Sequence, residues 1–186
     1  MSTQASRRPF NTAEYHRMLE AGILTEDDRL ELIDGEIVEM SPIGSSHQGC
    51  VDRLNFLFVQ RAGDKGIVRI QGPIELDDFS EPQPDLSLLR MRSDYYSHSH
   101  PRPADVLLVV EVSDSTLDYD RSVKIPLYAR AGVAEAWVAN LSGDSIEVYS
   151  DPASGSYQRV RICRRGESIS PRDLQHVSFV VDEILG

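Results

Sequence analysis

The run Val106–Val112, "VLLVVEV", leaves the chain little freedom. Six of its seven residues are aliphatic, and four are β-branched valines. Unbroken aliphatic character over this length predicts a strand buried on both faces, at the centre of a sheet with a layer on each side. Such a strand implies an α/β or α+β domain. The exception is Glu111. An ionised carboxylate is seldom taken out of water without a partner. Either Glu111 lies at the strand end where water returns, or something positive sits beside it.

The flanking segments fit a layered domain. "NTAEYHRMLEAG" predicts a short helix capped by Asn11 or Thr12 and ended by Gly22. "RLELIDGEIVEMSP" predicts a hairpin about Asp34-Gly35. "SSHQGCVDRLNFLFVQRAGDKG" predicts a helix capped by Ser45 or Ser46 and stopped by Gly63 or Gly66, with Val51, Leu54, Leu57 and Phe58 on one face. "GIVRIQGPIELD" and "PDLSLLR" read as strands around the acidic turn "DDFSEPQP", and "MRSDYYSHSHPRPA" as a mobile polar loop. After the central strand comes a helix running to Ala131, in which Pro126 must lie in the first turn or mark a kink after Lys124. "AEAWVAN" is a further strand, "SIEVYSD" and "YQRVRIC" form a hairpin across "PASG", and the tail is a strand and a turn. Tyr128 and Trp137 follow the apolar pattern and read as core. The two histidines of "HSHP" have no third ligand nearby in the chain and do not read as a metal site.

The 186 residues suggest one domain with a loose N-terminal end. Cys50 and Cys163 match no metal or disulfide spacing, so a reducing cytoplasm is the simpler setting. No apolar run is long enough to span a bilayer. A net charge of −11 argues against a broad basic face for nucleic acid, and supplies carboxylates for a hard cation.

Three residues line up. Asp85 follows Pro84 at the head of a strand, Glu111 nears the end of the next, and Lys124 lies thirteen residues further on, at a helix start. Consecutive strands are often sheet neighbours, which would set the two acids side by side. Two carboxylates a few ångströms apart repel unless a proton or cation intervenes. Mg²⁺ (or Mn²⁺) suits such a pair, because it accepts a few carboxylate oxygens and keeps several waters. A lysine beside it can orient water or stabilise charge on a phosphate. Against this, Asp85 could cap a loop, Glu111 could pair structurally with Arg121 or Lys124, and Lys124 could be solvated.

"EPQPDLSLL" followed by "DVLLVVEVSDSTLDYDRSVKIPLYARAGVAEAWVAN" resembles the Uma-two family of restriction-endonuclease-like proteins, within the PD-(D/E)XK nuclease-like superfamily. "YHRMLEAGILTEDDRLELIDGEIVEMSPIGSSHQ" resembles its N-terminal half, and the likeness runs over residues 9 to 149. It implies a mixed sheet flanked by helices, with an N-terminal helix and hairpin, as one restriction-endonuclease-like domain over residues 9–186 behind a flexible segment 1–8. It puts Asp85 in the metal-binding "PD" position and Glu111 in the acidic position of the (D/E)XK element. Ser113 stands where the superfamily has its lysine; Lys124 matches a lysine displaced to the following helix. His47 matches the family's histidine at a helix start, as ligand, proton shuttle or phosphate contact, against a capping or packing role. Glu31 is a candidate accessory acid, against a solvent-facing strand position. Ser113, Asp114 and Asp120 lie where they could orient groups of the site.

Two functions compete. One is a Mg²⁺-dependent endonuclease cutting DNA, with Asp85 and Glu111 on the metal, Lys124 assisting the attacking water and His47 in support. The other is a nuclease fold that has lost its chemistry and binds nucleic acid or protein. The negative charge and Ser113 favour the second; the intact Asp85, Glu111 and Lys124 set favours the first, which is preferred. Nucleases of this type pair to cut both strands, which implies a homodimer. No recognition module is visible.

Overall fold

The computed structural model describes residues 7–186. The expected loose segment 1–8 therefore falls, for residues 1–6, outside the described residues. Arg7 pairs with Glu36 at 2.8 Å on the surface.

The predicted central strand, β5 (Val106–Ser113), is buried along its whole length. It lies in a six-stranded sheet of order β3–β4–β5–β6–β7–β8. The other strands are β3 (Ile67–Ile70), β4 (Leu86–Leu89), β6 (Glu135–Asn140), β7 (Ser145–Ala153) and β8 (Ser156–Arg164). All neighbours are antiparallel except β5 and β6. A parallel pair needs a crossover. Helix α3 (Leu117–Tyr119), a π-helical turn (Asp120–Lys124) and helix α4 (Ile125–Ala131) supply it.

Alternation along β5 sends side chains to two cores. Leu108, Val110 and Val112 face helix α2 (Ser45–Ala62) and the C-terminal helix α5 (Val181–Leu185). Val109 faces α4, with Ile125, Leu127 and Tyr128, and Ile33 of the hairpin β1 (Leu30–Ile33)–β2 (Glu36–Glu39). Phe58 of α2 is wholly buried; its ring centroid stands 4.4 Å from Phe179 and 5.9 Å from Trp137. Trp137 is core, as expected.

Local signals explain most boundaries. Helix α1 (Thr12–Glu20) is capped by Asn11, whose side chain accepts the Glu14 N–H while Glu14 reaches back to Asn11. The β1–β2 turn has Asp34 at φ 48° and Gly35 at φ 80°. A Cβ on Gly35 would meet Pro9 at 2.4 Å, so glycine is required on two counts. Helix α2 differs from expectation: Gly44 is its N-cap, and no side chain caps it. The strand expected over "GIVRIQGPIELD" ends at Ile70. Gln71 turns to φ 47°, Gly72-Pro73 follows, and Pro cannot donate to a ladder. The loop "MRSDYYSHSHPRPA" is fixed rather than mobile: Tyr96 is buried, donates its hydroxyl to the Arg90 carbonyl at 2.8 Å, and lies under the Arg92 guanidinium.

Pro126 sits in the first turn of α4, directly after the π turn. Without an N–H it cannot bond the carbonyl four residues back, and its ring crowds that carbonyl. The helix widens instead: the Ile125 N–H bonds the Asp120 carbonyl, five residues back. This winding sets where Lys124 points.

A surface pair links α2 to α5. Arg61 donates to both Glu183 oxygens, at 2.9 and 2.6 Å. These hydrogen bonds lower the Glu183 carboxyl from 4.5 to about 2. A depressed acid stabilises the fold above its unfolded value and loses that contribution as pH falls through the folded one. Glu183→Gln is therefore expected to be less stable than the parent by under ~1 kcal/mol near neutrality, as solvent-screened pairs are. Urea titrations down the pH scale should show that difference closing between pH 4.5 and about 2.

Candidate active site

The β4–β5 pairing places the two predicted acids. Leu86 pairs with Val110, and Asp85 adjoins Leu86 as Glu111 adjoins Val110, at the same end of the two strands. Asp85 accepts the N–H of Val112, the residue after Glu111. Glu111 alternates in step with Val109 and so points to the face that α4 covers. A cleft of about 490 Å³ opens there, lined among others by Glu31, His47, Asp85, Glu111, Asp120 and Lys124.

Glu111 is 3 % exposed and Lys124 5 % exposed, so the charge on β5 is not at a wet strand end. The Lys124 ammonium lies 3.3 Å from Glu111 Oε1 and 3.2 Å from Glu31 Oε2. The Tyr128 hydroxyl donates to Glu111 Oε1 at 2.5 Å. Tyr128 is thus core by its ring and part of the site by its oxygen. It stands four residues after Lys124, on the same helical face, and that spacing was the signal in the sequence. Arg121, the other partner considered for Glu111, turns away to Glu147. Burial pushes the Glu111 carboxyl up to about 8, against the pull of Lys124. Burial also opposes charge on Lys124, but the Glu111, Glu31, Asp120 and Asp85 carboxylates outweigh it and raise the ammonium above its ordinary value.

Asp85 Oδ2 accepts the Val112 N–H at 2.8 Å and meets His47 Nε2 at 3.0 Å. Burial opposes its charge, yet the hydrogen bond and charge of His47, the Val112 N–H and the Lys124 ammonium hold it below the usual range. In return the Asp85 hydrogen bond raises His47. His47, in the first turn of α2, lines the same cleft and meets Asp85 there.

Glu31 is not solvent-facing: it is 2 % exposed, and its Oε2 also accepts the Gln83 N–H at 3.1 Å. β1 lies over the α4 side of the sheet, which the local alternation of β1 could not reveal. Ser113 does not line the cleft. Its hydroxyl donates to Asp120 at 2.6 Å, and Thr116 adds a second bond at 2.8 Å. Burial raises the Asp120 carboxyl. Asp114 lies at the rim with its side chain exposed. Tyr119 and Gln83 also line the cleft and carried no signal in sequence.

The cleft therefore gathers four buried carboxylates, Glu31, Asp85, Glu111 and Asp120, about one lysine and one histidine. Two buried polar atoms there, His47 Nδ1 and the Tyr119 hydroxyl, have no hydrogen-bond partner among the described residues. Surplus negative charge with oxygen donors suits a hard divalent cation. Unpaired polar atoms beside it suit a polar ligand.

A mixed sheet with helices on both faces and an acid-lined cleft at the end of its central strands defines the restriction-endonuclease-like class. The chain is similar in fold to a crystal structure described as "a putative nuclease belonging to DUF820" from Anabaena variabilis ATCC 29413. The TM-score is 0.74 at 12 % identity, covering 95 % of this chain and 98 % of that one. The chain belongs to the Uma2 family, described as "Putative restriction endonuclease", whose family model matches residues 12–182. No curated protein matches it in sequence.

Proposed function

We propose that the chain is a Mg²⁺- or Mn²⁺-dependent endonuclease that hydrolyses DNA phosphodiester bonds. The observation that carries this reading is a cleft in which Lys124 bridges Glu31 and Glu111 and whose lining also includes Asp85. Asp85 and Glu111 would hold the cation, with Glu31 as accessory. Bound there, a divalent ion supplies Lewis-acid activation of water and neutralises charge on the phosphate. Lys124 donates hydrogen bonds toward the attacking water and the phosphate, and its two carboxylates keep it protonated and aimed. Asp85 orients His47 and favours its imidazolium, whose Nδ1–H, without a partner among the described residues, would donate to a phosphate oxygen. Tyr128 fixes one oxygen of Glu111. Asp120, held by Ser113 and Thr116, adds to the field that keeps Lys124 charged.

A homodimer would let two clefts cut both strands. Two buried free cysteines support a reducing, cytoplasmic setting. Among the described residues no helix is long and apolar enough to cross a membrane. The net charge of −11 and serine at position 113 favour a second reading, a fold that binds nucleic acid or protein without cutting.

Incubation with supercoiled plasmid and single-stranded DNA plus Mn²⁺ tests the first reading. Nicking is expected from the parent. Asp85→Asn should lower the rate by at least about 100-fold, the scale of losing one charge-stabilising group. Calorimetry with Mg²⁺ should show binding to the parent that Glu111→Ala loses. Binding of DNA without cleavage under any divalent ion would leave the second reading standing. Equal Mg²⁺ binding by parent and Glu111→Ala would remove the metal from this cleft.

A further inference from the structure

Glu81 lies four residues before Asp85, on the segment that leads into β4, and two imidazoles flank it. His16, from α1, places Nε2 2.8 Å from Glu81 Oε2. His100, from the loop after β4, places Nε2 4.0 Å from Glu81 Oε1. Among the described residues these three side chains form a group whose potential ligand atoms all lie within 4.8 Å of one another. The two rings stand 5.9 Å apart at 67°, edge to face rather than stacked. Tetrahedral ligands on a zinc-sized ion are about 3.4 Å apart for bonds near 2.1 Å. The separations of 2.8 and 4.0 Å fall on either side of that value, within reach of small side-chain rotations.

Burial separates this group from a surface ion pair. The Glu81 side chain is 4 % exposed, and backbone bonds to Leu32, 2.7 and 3.3 Å, fix it. The His16 and His100 side chains are 37 % and 40 % exposed, which leaves an ion a way in. Two imidazoles and one carboxylate are the donor set of borderline transition metals, not of Mg²⁺.

We propose that His16, Glu81 and His100 bind one divalent transition-metal ion of the zinc type, at a site separate from the acid-lined cleft. The ion joins α1 and the loop after β4 to the segment entering β4. Gln83 lies on that segment and bonds both Glu31 and the Leu30 carbonyl. The ion thereby positions Glu31 and Asp85 without touching what they act on. Binding does not depend on whether the cleft is a nuclease.

Calorimetry of the untagged full-length chain with ZnCl₂, in excess Mg²⁺, tests the proposal, with Co²⁺ absorption spectra as a second readout. One Zn²⁺ per chain is expected, with d–d bands of a Co²⁺ complex having nitrogen ligands. His16→Ala and His100→Ala should each weaken Zn²⁺ by about 100-fold, the scale of disrupting a coordination shell. His98→Ala and Asp85→Asn should leave it unchanged. Zn²⁺ should raise the Tm of the parent and not of the double variant His16→Ala/His100→Ala. Circular dichroism checks that the variants fold, which the partial exposure of both histidines favours. Absence of Zn²⁺ binding by the parent, or equal affinity in parent and double variant, overturns the assignment.

Discussion

Replacing Lys124 by methionine is expected to lower the free energy of unfolding by about 3–5 kcal/mol, the cost of leaving a buried charge without its partner. Methionine nearly matches the lysine stem in volume, so the loss reports charge and not a cavity. The ammonium lies between Glu31 and Glu111, with the Asp85 and Asp120 carboxylates also acting on it. The penalty has a direction in pH. Burial already lifts Glu111 from 4.5 to about 8, and Lys124 opposes that rise. Without the lysine, Glu111 rises further, and the native state holds a proton that the unfolded chain releases. Stability then falls as pH climbs through the raised value. Urea titrations should show a deeper deficit at about pH 9 than at about pH 6. Neutralising both partners, in Lys124→Met/Glu31→Gln/Glu111→Gln, should recover most of the loss. A triple variant as unstable as the single one would show that ion pairing is not what the lysine provides.

Phe58→Ala should lose about 3–5 kcal/mol as well, through packing alone. The ring is held between Phe179 and Trp137, among the buried side chains of the core that α2, α5 and the sheet share. The sheet and two helices cannot all move in to fill the space, so the cavity persists. Phe56, on the same helix and 61 % exposed, is the control, and Phe56→Ala should stay within about 0.5 kcal/mol of the parent. A loss below about 1.5 kcal/mol for Phe58→Ala would mean that the site collapses freely and that α2 is not anchored there. The anchor bears on the cleft, because α2 also carries His47.

What could be read from the residues follows the range of the forces involved. The aliphatic run of β5, the Asp34-Gly35 turn and the Asn11 cap are local, and each appears where its chemistry demands. That Asp85, Glu111 and Lys124 come to one cleft is legible because sequence-adjacent strands pair and because one acid interrupts an apolar run. For Glu31 the residues leave two alternatives open: the four-residue strand β1 alternates like an exposed hairpin, and only its docking over the α4 side buries that carboxylate. His16, Glu81 and His100 escaped for the same reason. They come from three segments, and nothing within "HSHP" reveals that Glu81 waits beside it. Tyr128 was placed correctly in the core, but its hydroxyl's partner lies on another element.

The π turn before Pro126 decides the direction of the lysine it carries. Removing one residue between Asp120 and Lys124 would restore ordinary winding and swing the ammonium by roughly a quarter of a turn, away from the strand. Where that amine stands in space is thus set by the winding of its helix as much as by its number in the chain.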